Sequence, residues 1–274
     1  MTVLQPQVPF GDEPIDEIFL PDAPLITVVA QLRFPDIASI AREDFIGGFQ
    51  EAIRADYPVL RQEREVSFVL TPRGIGAGAD SGHVWRFRDK AKEWSVSLAP
   101  SFVALDTTAY VNRADFVARL GKVLEALAAS IAPATYDRFG LRYVDRIILD
   151  PPPSGLETLN ALVRQDVRGI STSPLGDANV SLQHTLSASE FRLSDAVLFG
   201  RWGVVPPDVQ LDPSHGDPVP TPSWLLDLDM YVAGPNDFAV AHVLGLADDF
   251  AGRIYRFFRW AVNPELLKRC GGAI

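Results

Sequence analysis

The chain has 274 residues and a formal net charge of −10, and hydrophobic residues make up 47% of it. No apolar stretch in it approaches the roughly 20 residues that span a bilayer. The excess of acidic residues repels phosphate backbones and anionic lipid surfaces, so we expect neither nucleic acid nor a membrane as a partner. Length and composition are typical of a folded globular protein and exclude a largely disordered chain.

Cysteine content and the N-terminal sequence bear on the compartment. The single cysteine, Cys270, excludes an intramolecular disulfide and favours a reducing environment. The first residues are acidic and proline-rich, and they lack the basic and apolar regions of a secretory signal. The sequence therefore predicts a cytoplasmic protein.

The first half of the chain predicts an extended arm followed by strands and a helix. Residues 1–24 hold five prolines among acidic residues, which disfavours helices and sheet interiors. A β-branched run at residues 25–34 predicts a strand, and helical spacing predicts a helix that starts near Phe45 and stops before Pro58. Four β-like runs then predict an antiparallel meander with a glycine-rich connection at residues 73–82. These runs are centred on residues 66–70, 84–88, 94–98 and 103–111.

The second half begins again with a strand, at residues 139–149, and a helix at residues 156–167. Further β-like runs predict another antiparallel group, interrupted by residues 206–222. They lie at residues 180–186, 191–199, 202–205 and 224–232. The interruption holds six prolines and predicts an extended surface loop.

Each half ends in a long helix. Asp115 can cap a helix over residues 116–131, whose apolar residues form one stripe. The last helix, over residues 237–262, is rich in aromatic residues and is apolar around most of its circumference. Such a helix needs cover on more than one side, so it either lies in the core or buries part of its surface against another subunit.

Internal similarity supports a duplication. Two short segments agree residue by residue, in the same order in both halves. Leu105, Asp106, Tyr110 and Val111 match Leu226, Asp227, Tyr231 and Val232 in register, and Leu32–Phe34 match Leu141–Tyr143. The sequence therefore predicts an α+β protein with an arm at residues 1–24 and two tandem strand-helix-antiparallel sheet-helix units, at residues 25–134 and 135–274. Together they form one duplicated domain, as in TATA-binding-protein-like or helix-grip folds.

No motif in the chain predicts catalysis, a cofactor or a metal. The glycine-rich run at residues 74–78 is followed by a strand and no lysine, so it lacks the helix N-terminus that holds phosphate. The histidines are far apart and have no ligand spacing, and no serine lies in a nucleophile elbow. These histidines are His83, His184, His215 and His242. We expect no catalytic residue and no cofactor.

Strand alternation assigns a polar set of side chains to one face of the predicted sheet. Its members are Arg33, Arg142, Arg146, Asp106, Tyr110, Asp227, Asp229 and Tyr231. One interpretation is a cross-strand ladder of ion pairs, each worth at most about 1 kcal/mol. The other is a binding groove in which the arginines bind a carboxylate or phosphate and the tyrosines supply contact area. Full ion pairing of Arg142 and Arg146, with no cleft beside them, would exclude the groove.

Three segments and the last helix carry a resemblance to a known family. They are PDAPLITVVAQLRFPDI, FGLRYVDRI and LLDLDMYVAGPNDF, followed by the arginine- and aromatic-rich helix. Together they resemble a family of sporadically distributed bacterial proteins of unknown function over nearly the whole chain. The resemblance implies a mobile gene neighbourhood, such as a defence or toxin-antitoxin locus, or an accessory role in a biosynthetic cluster.

Two hypotheses for function follow. The first is a non-catalytic binding protein whose partner is another protein or a second copy joined through the C-terminal helix. The second is a small-molecule-binding protein or enzyme with a cavity between the sheet and the long helices.

Overall fold

The structure is a computed structural model, and it describes residues 5–11, 13, 15–71, 74–149, 154–173, 179–180, 182–209 and 217–273. Side chains of residues 64–82 and 154–157 are outside this description. The strands are β1 (Leu25–Arg33), β2 (Val59–Thr71), β3 (Gly74–Arg88), β4 (Trp94–Ala99), β5 (Phe102–Thr107), β6 (Thr135–Ile148), β7 (Thr185–Arg192), β8 (Val197–Val205) and β9 (Ser223–Asp237). The helices are α1 (Glu43–Ile53), α2 (Arg113–Ser130), α3 (Ser154–Leu162), α4 (Gln165–Arg168), α5 (Val240–Ala261) and α6 (Pro264–Arg269).

Across the described ranges, the strands form one antiparallel sheet of nine members in the order β2-β3-β4-β5-β1-β6-β9-β8-β7. Four of its pairings join neighbours in sequence as hairpins: β2 with β3, β3 with β4, β4 with β5, and β7 with β8. The predicted α+β class with an antiparallel sheet is confirmed. No helix in the described part of the chain is both long enough and apolar enough to cross a membrane.

The β2–β3 hairpin is longer than the sequence indicates. Gly74 pairs with Thr71, so the predicted glycine-rich connection at residues 73–82 is strand from its second residue onward. Glycine keeps its backbone N–H and C=O, so it can continue a hydrogen-bond ladder while contributing no side chain to packing. Residues 72–73 lie outside the described residues.

The second half differs from the predicted boundaries at several points, including the following three. The run at residues 191–199 is split, because Leu193 N–H donates to Ala196 O at 2.9 Å and closes a tight turn between β7 and β8. The helix at residues 156–167 is divided into α3 and α4. A further helix, α6, begins at Pro264, which is favourable at a first helical position because its missing N–H needs no partner there.

The cap of α2 is Asn112 and not the predicted Asp115. The Asn112 side chain accepts a hydrogen bond from Asp115 N–H at 2.9 Å, which satisfies one of the free donors of the first turn. Asp115 lies inside that turn, where its carboxylate is favoured by the helix dipole and pairs with Arg119 at 3.0 Å.

Contacts divide the chain into two compact units. Unit 1 comprises Met1–Val28, Arg142–Met230 and Asp249–Ile274, and unit 2 comprises Val29–Leu141 and Tyr231–Asp248. The core of unit 2 includes the apolar stripe predicted for α2, which is buried. In the same core, the rings of Phe49 on α1 and Phe87 on β3 lie 5.6 Å apart in an edge-on arrangement.

The core of unit 1 is centred on Phe257 of α5, which is fully buried. Its ring lies 5.9 to 6.0 Å from the rings of Phe10, Phe191 and Trp202, and 5.3 Å from that of Trp260. Phe10 belongs to the N-terminal arm, so the arm supplies part of the cover that an all-round apolar helix requires.

Buried arginines hold the arm on α5 through its backbone. Arg256 Nη1 donates to Glu13 O at 2.6 Å, and Arg259 Nη1 donates to Asp16 O at 3.2 Å. Ile18 N–H donates to the Tyr255 hydroxyl at 2.8 Å. The arm has no helix or strand among its described residues, and these side chains satisfy backbone groups that would otherwise need water.

Candidate functional site

Strand alternation gives β6 two faces, which set the geometry of the candidate site. Phe139, Leu141 and Ile147 are buried on one side, here called the apolar face. Arg142 and Arg146 lie at the alternate positions, on the opposite side, called the polar face.

Asp227 of β9 is the centre of the polar face in unit 1. Its carboxylate is 2% exposed and accepts hydrogen bonds from two arginines. Arg142 of β6 binds it in a two-pronged arrangement, with Nε–Oδ1 at 2.7 Å and Nη2–Oδ2 at 2.8 Å. Arg201 of β8 approaches from the other neighbouring strand, with Nε–Oδ2 at 2.9 Å. Two charge-assisted interactions therefore hold three strands together across one buried carboxylate.

Arg201 was not among the site residues predicted from the sequence. The available signal was a single charged residue inside the apolar run VLFGRWGVV of β8. A buried arginine is rare unless it is paired, so its position in that run should have indicated a carboxylate on a neighbouring strand.

Arg146 has a different environment from Arg142. Its side chain is 8% exposed, and Nη1 donates to the main-chain oxygen of Asp217 at 2.6 Å. Nε has no hydrogen-bond partner in the structure, and no ion pair joins Arg146 to a carboxylate of the described residues. Burial lowers the pKa of Arg146, and the charge of Asp217 opposes that shift.

Asp217 belongs to the proline-rich segment predicted as a surface loop. Asp208 N–H donates to Val219 O at 2.8 Å, and Leu149 N–H donates to Pro222 O at 2.9 Å. The described parts of this segment are therefore fastened to each other and to the end of β6. Residues 210–216, including His215, lie outside the described residues.

A small apolar cluster separates the two arginines of β6. Val144 forms one cluster with Val205 of β8 and Leu225 of β9, and the half-buried Ile26 of β1 packs against this cluster. Val144 and Leu225 are fully buried. On the polar face of unit 1, this apolar cluster therefore lies between a charged group at each end, Arg142 and Arg146.

Unit 2 contains a separate charge ladder. Glu63 of β2 pairs with Arg86 at 2.9 Å and with Arg88 at 3.2 Å, both on β3. Arg86 also lies 3.8 Å from Asp106 of β5. Burial raises the pKa of Asp106 to about 6, because the cost of desolvation exceeds the attraction of these two arginines. Of these four residues, only Asp106 belongs to the polar set selected from the sequence.

The remaining predicted site residues lie at separate places in the two units. Tyr231 lies beneath the guanidinium of Arg138, whose Cζ is 4.4 Å from the ring centroid. The Tyr110 ring is 6.0 Å from that of Phe116, and Arg33 is exposed at the end of β1. Half-buried Asp229 lies two residues after Asp227 on β9. Arg142, Arg146, Asp227 and Asp229 belong to unit 1, and Arg33, Asp106, Tyr110 and Tyr231 belong to unit 2.

Asp145 is a buried carboxyl group that the sequence analysis did not single out. It lies on the apolar face of β6 and is 6% exposed. Within the described chain, no hydrogen bond or ion pair reaches its carboxylate. Burial raises its pKa to about 8, and the negative charge of Asp227 adds to the shift. The signal in the sequence was an acidic residue at an apolar position of YVDRI.

No group of three His, Cys, Asp or Glu among the described residues is placed to hold a metal ion. A scan against models of known protein families finds no match, and a search of curated proteins finds none that is significant.

Proposed function

We propose that this chain is a non-catalytic partner-binding protein and that an extended segment of the partner adds to the sheet at β7. This strand ends the sheet order and pairs with β8 on one side. Every side chain along β7 is exposed or half-buried. An accessible edge strand offers backbone N–H and C=O groups to an incoming strand, which is the basis of β-augmentation.

The two edges of the sheet differ in a way that supports this choice. Edge strands are normally protected from pairing by charge, proline or bulges. β2, at the other edge, contains the run RQERE and has two register shifts against β3. β7 has neither charge nor proline from Thr185 to Ser189. The exposed edge at β7 is the observation that carries the proposal.

The position of the N-terminal arm counts against self-association through α5, the alternative to partner binding at β7. Self-association through α5 would use the last helix, but Phe10 and the arm backbone already occupy part of its surface in unit 1. For that reason we assign the partner to β7. A cytoplasmic location and a mobile defence, toxin-antitoxin or biosynthetic locus are part of the proposal and rest on the sequence.

We also propose that the sheet arises from two diverged copies, at residues 25–134 and 135–274. Strand order supports this, because each copy then places its first strand beside its last. Read outward from the centre, one copy runs β1-β5-β4 and the other runs β6-β9-β8. The same outward order in both halves is expected of a duplicated TATA-binding-protein-like or helix-grip unit.

A charged substitution in the edge strand β7 tests the partner proposal. Ala188 is exposed on β7, and Ala188→Lys adds the kind of residue that protects natural edge strands. We expect the tagged wild-type chain to retain one stoichiometric protein when purified from its native host, and the variant to lose it. Gln62→Lys on β2 is the matched control and retains it. Retention by Ala188→Lys, or the absence of any stoichiometric partner, would contradict the proposal.

One observation favours a second candidate, a small-molecule-binding protein or enzyme. Asp145 is a buried carboxyl group with a strongly raised pKa, and such groups are concentrated at functional sites. A screen of metabolites for stabilisation would test this candidate. A compound that raises the melting temperature of the wild type but not of Asp145→Asn supports it, and equal responses of the two proteins count against it.

A further inference from the structure

We propose that Arg146 binds a small oxyanion, a phosphate or carboxylate group, on the polar face of unit 1. This site is independent of the edge strand β7. A guanidinium carries a full positive charge and five N–H donors. Arg146 is 8% exposed, Nη1 donates to the neutral main-chain oxygen of Asp217, and Nε has no hydrogen-bond partner. Burial of a cation costs several kcal/mol unless anions compensate it, and the negative charge of Asp217 offsets only part of the effect of burial on Arg146.

A second unpaired donor lies on the same face. The Ser223 hydroxyl is buried and has no hydrogen-bond partner in the structure. Val144 and Leu225 belong to one cluster on the polar face, and Arg146 and Ser223 are the next residues on that face in the same direction along the antiparallel strands. Bonding of Leu149 N–H to Pro222 O at 2.9 Å keeps these strand ends adjacent. A guanidinium and a hydroxyl in this arrangement can donate to different oxygens of one anion.

Other cationic groups lie on the same face. The guanidinium groups of Arg142 and Arg201 both bind the carboxylate of Asp227. Arg142 is four residues before Arg146 on β6, about 13 Å along the strand, so it contributes to the field without contacting the ligand. A local basic site of this kind can bind anions although the whole chain carries a net charge of −10.

The competing explanation is that Arg146 only fastens the segment around Asp217 to the sheet. A main-chain oxygen is sufficient for that role, and no anion would then bind. The two explanations differ in whether an added anion changes the environment of Nε.

Nuclear magnetic resonance of the arginine Nε–H groups tests the proposal on the wild-type chain. The Arg146 signal is assigned through bonds from its backbone, so no variant needs to fold. Inorganic phosphate and, separately, acetate are titrated against chloride at constant ionic strength. We expect a saturable shift of the Arg146 signal, and the anion that shifts it at lower concentration identifies the preferred oxyanion. The absence of a saturable shift with either anion would overturn the proposal.

A thermal measurement gives an independent readout. When the anion concentration is ten times the dissociation constant, binding should raise the melting temperature of the wild type by roughly 3–5 °C. Arg146→Met should lose this increment, whereas Arg61→Met, which removes an exposed arginine of β2, should keep it. An equal increment in wild type and Arg146→Met would contradict the site. If Arg146→Met does not fold, Arg146→Lys replaces it, and a weaker anion response is expected because the donor geometry is lost.

Discussion

At the scale of single residues, stability depends on how each buried ionisable group of β6 and β9 is compensated. Asp227 has two guanidinium partners, Arg146 has a carbonyl oxygen, and Asp145 has no hydrogen-bond partner among the described residues. A buried charge costs several kcal/mol when it is unpaired. These residues therefore give the clearest predictions about stability.

We expect Asp227→Asn to lower the free energy of unfolding by about 3–5 kcal/mol, because it removes the buried carboxylate that the guanidinium groups of Arg142 and Arg201 both bind. Urea denaturation measures the change. Asp44→Asn is the matched control, since Asp44 pairs with Arg42 on the surface and its loss should not shift the midpoint measurably. A loss below about 1 kcal/mol for Asp227→Asn would show that the pairs are energetically ordinary surface pairs.

Asp145 should make stability depend on pH. Its pKa is about 8 in the folded chain against the usual 3.8, so the folded state holds the proton more tightly than the unfolded state. The stabilisation is complete below pH 4 and is lost as the pH rises toward 8. The Asp145→Asn side chain cannot ionise. The unfolding free energy of this variant should therefore increase relative to that of the wild type between pH 5 and pH 9.

Urea denaturation at several pH values checks this prediction. Asp195→Asn is the control, because the hydrogen bond from Arg253 lowers the pKa of Asp195 and its contribution changes only in acid. That variant should follow the wild type in parallel over the same pH range. If the unfolding free energies of Asp145→Asn and wild type change in parallel with pH, the pKa of Asp145 is not raised in the folded chain.

Alternation along strands predicted part of this site and could not predict the rest. Asp227 and Arg142 were placed on one face of the sheet by parity alone, and the structure joins them. Arg201 was missed because the pairing of β8 with β9 is a contact between strands whose register no local pattern fixes. Asp145 was missed because a charged residue on an apolar face contradicts the local pattern, as functional or strained residues often do.

At the scale of elements, the approach of β7 to β8 requires a glycine. A Cβ on Gly203 would overlap with Thr185 O and would lie 2.9 Å from Leu186 Cα, both in the backbone of β7. Gly203 also has a φ of +157°. No side chain can be added there unless the two strands separate.

We therefore expect Gly203→Ala to disrupt the β7–β8 pairing and to destabilise unit 1, at a cost above the usual 0.5–3 kcal/mol or so of single substitutions. Gly245→Ala is the matched control, because a Cβ at that exposed position of α5 meets nothing within 4 Å. Helix propensity predicts that this control gains about 1 kcal/mol. Thermal unfolding compares the two, and a stable Gly203→Ala protein would contradict the tight approach.

The arm and α5 show the limit of sequence patterns at this scale. Proline content predicted an extended arm, and the apolar circumference of α5 predicted a surface that needs cover. The sequence could not predict that Phe10 covers Phe257, or that Arg256 and Arg259 hold the arm backbone. Those contacts join residues about 240 positions apart, and local periodicity contains no information on such pairs.

At the scale of the whole molecule, the α+β class and the antiparallel sheet were predictable because they follow from alternation and turn residues. The order of nine strands was not, since it depends on long-range pairing. That order is nevertheless what identifies β7 and β2 as the edges, and the difference between these two strands carries the proposed function.

Hydrogen exchange on β7 tests the partner proposal most directly. Amides of β7 that face away from β8 should exchange quickly in the isolated chain and slow at least about tenfold in the complex purified from the native host, because each gains a backbone acceptor. Exchange along β2 should not change. Unchanged exchange along β7, with protection confined to another surface, would contradict the assignment of the partner to this edge.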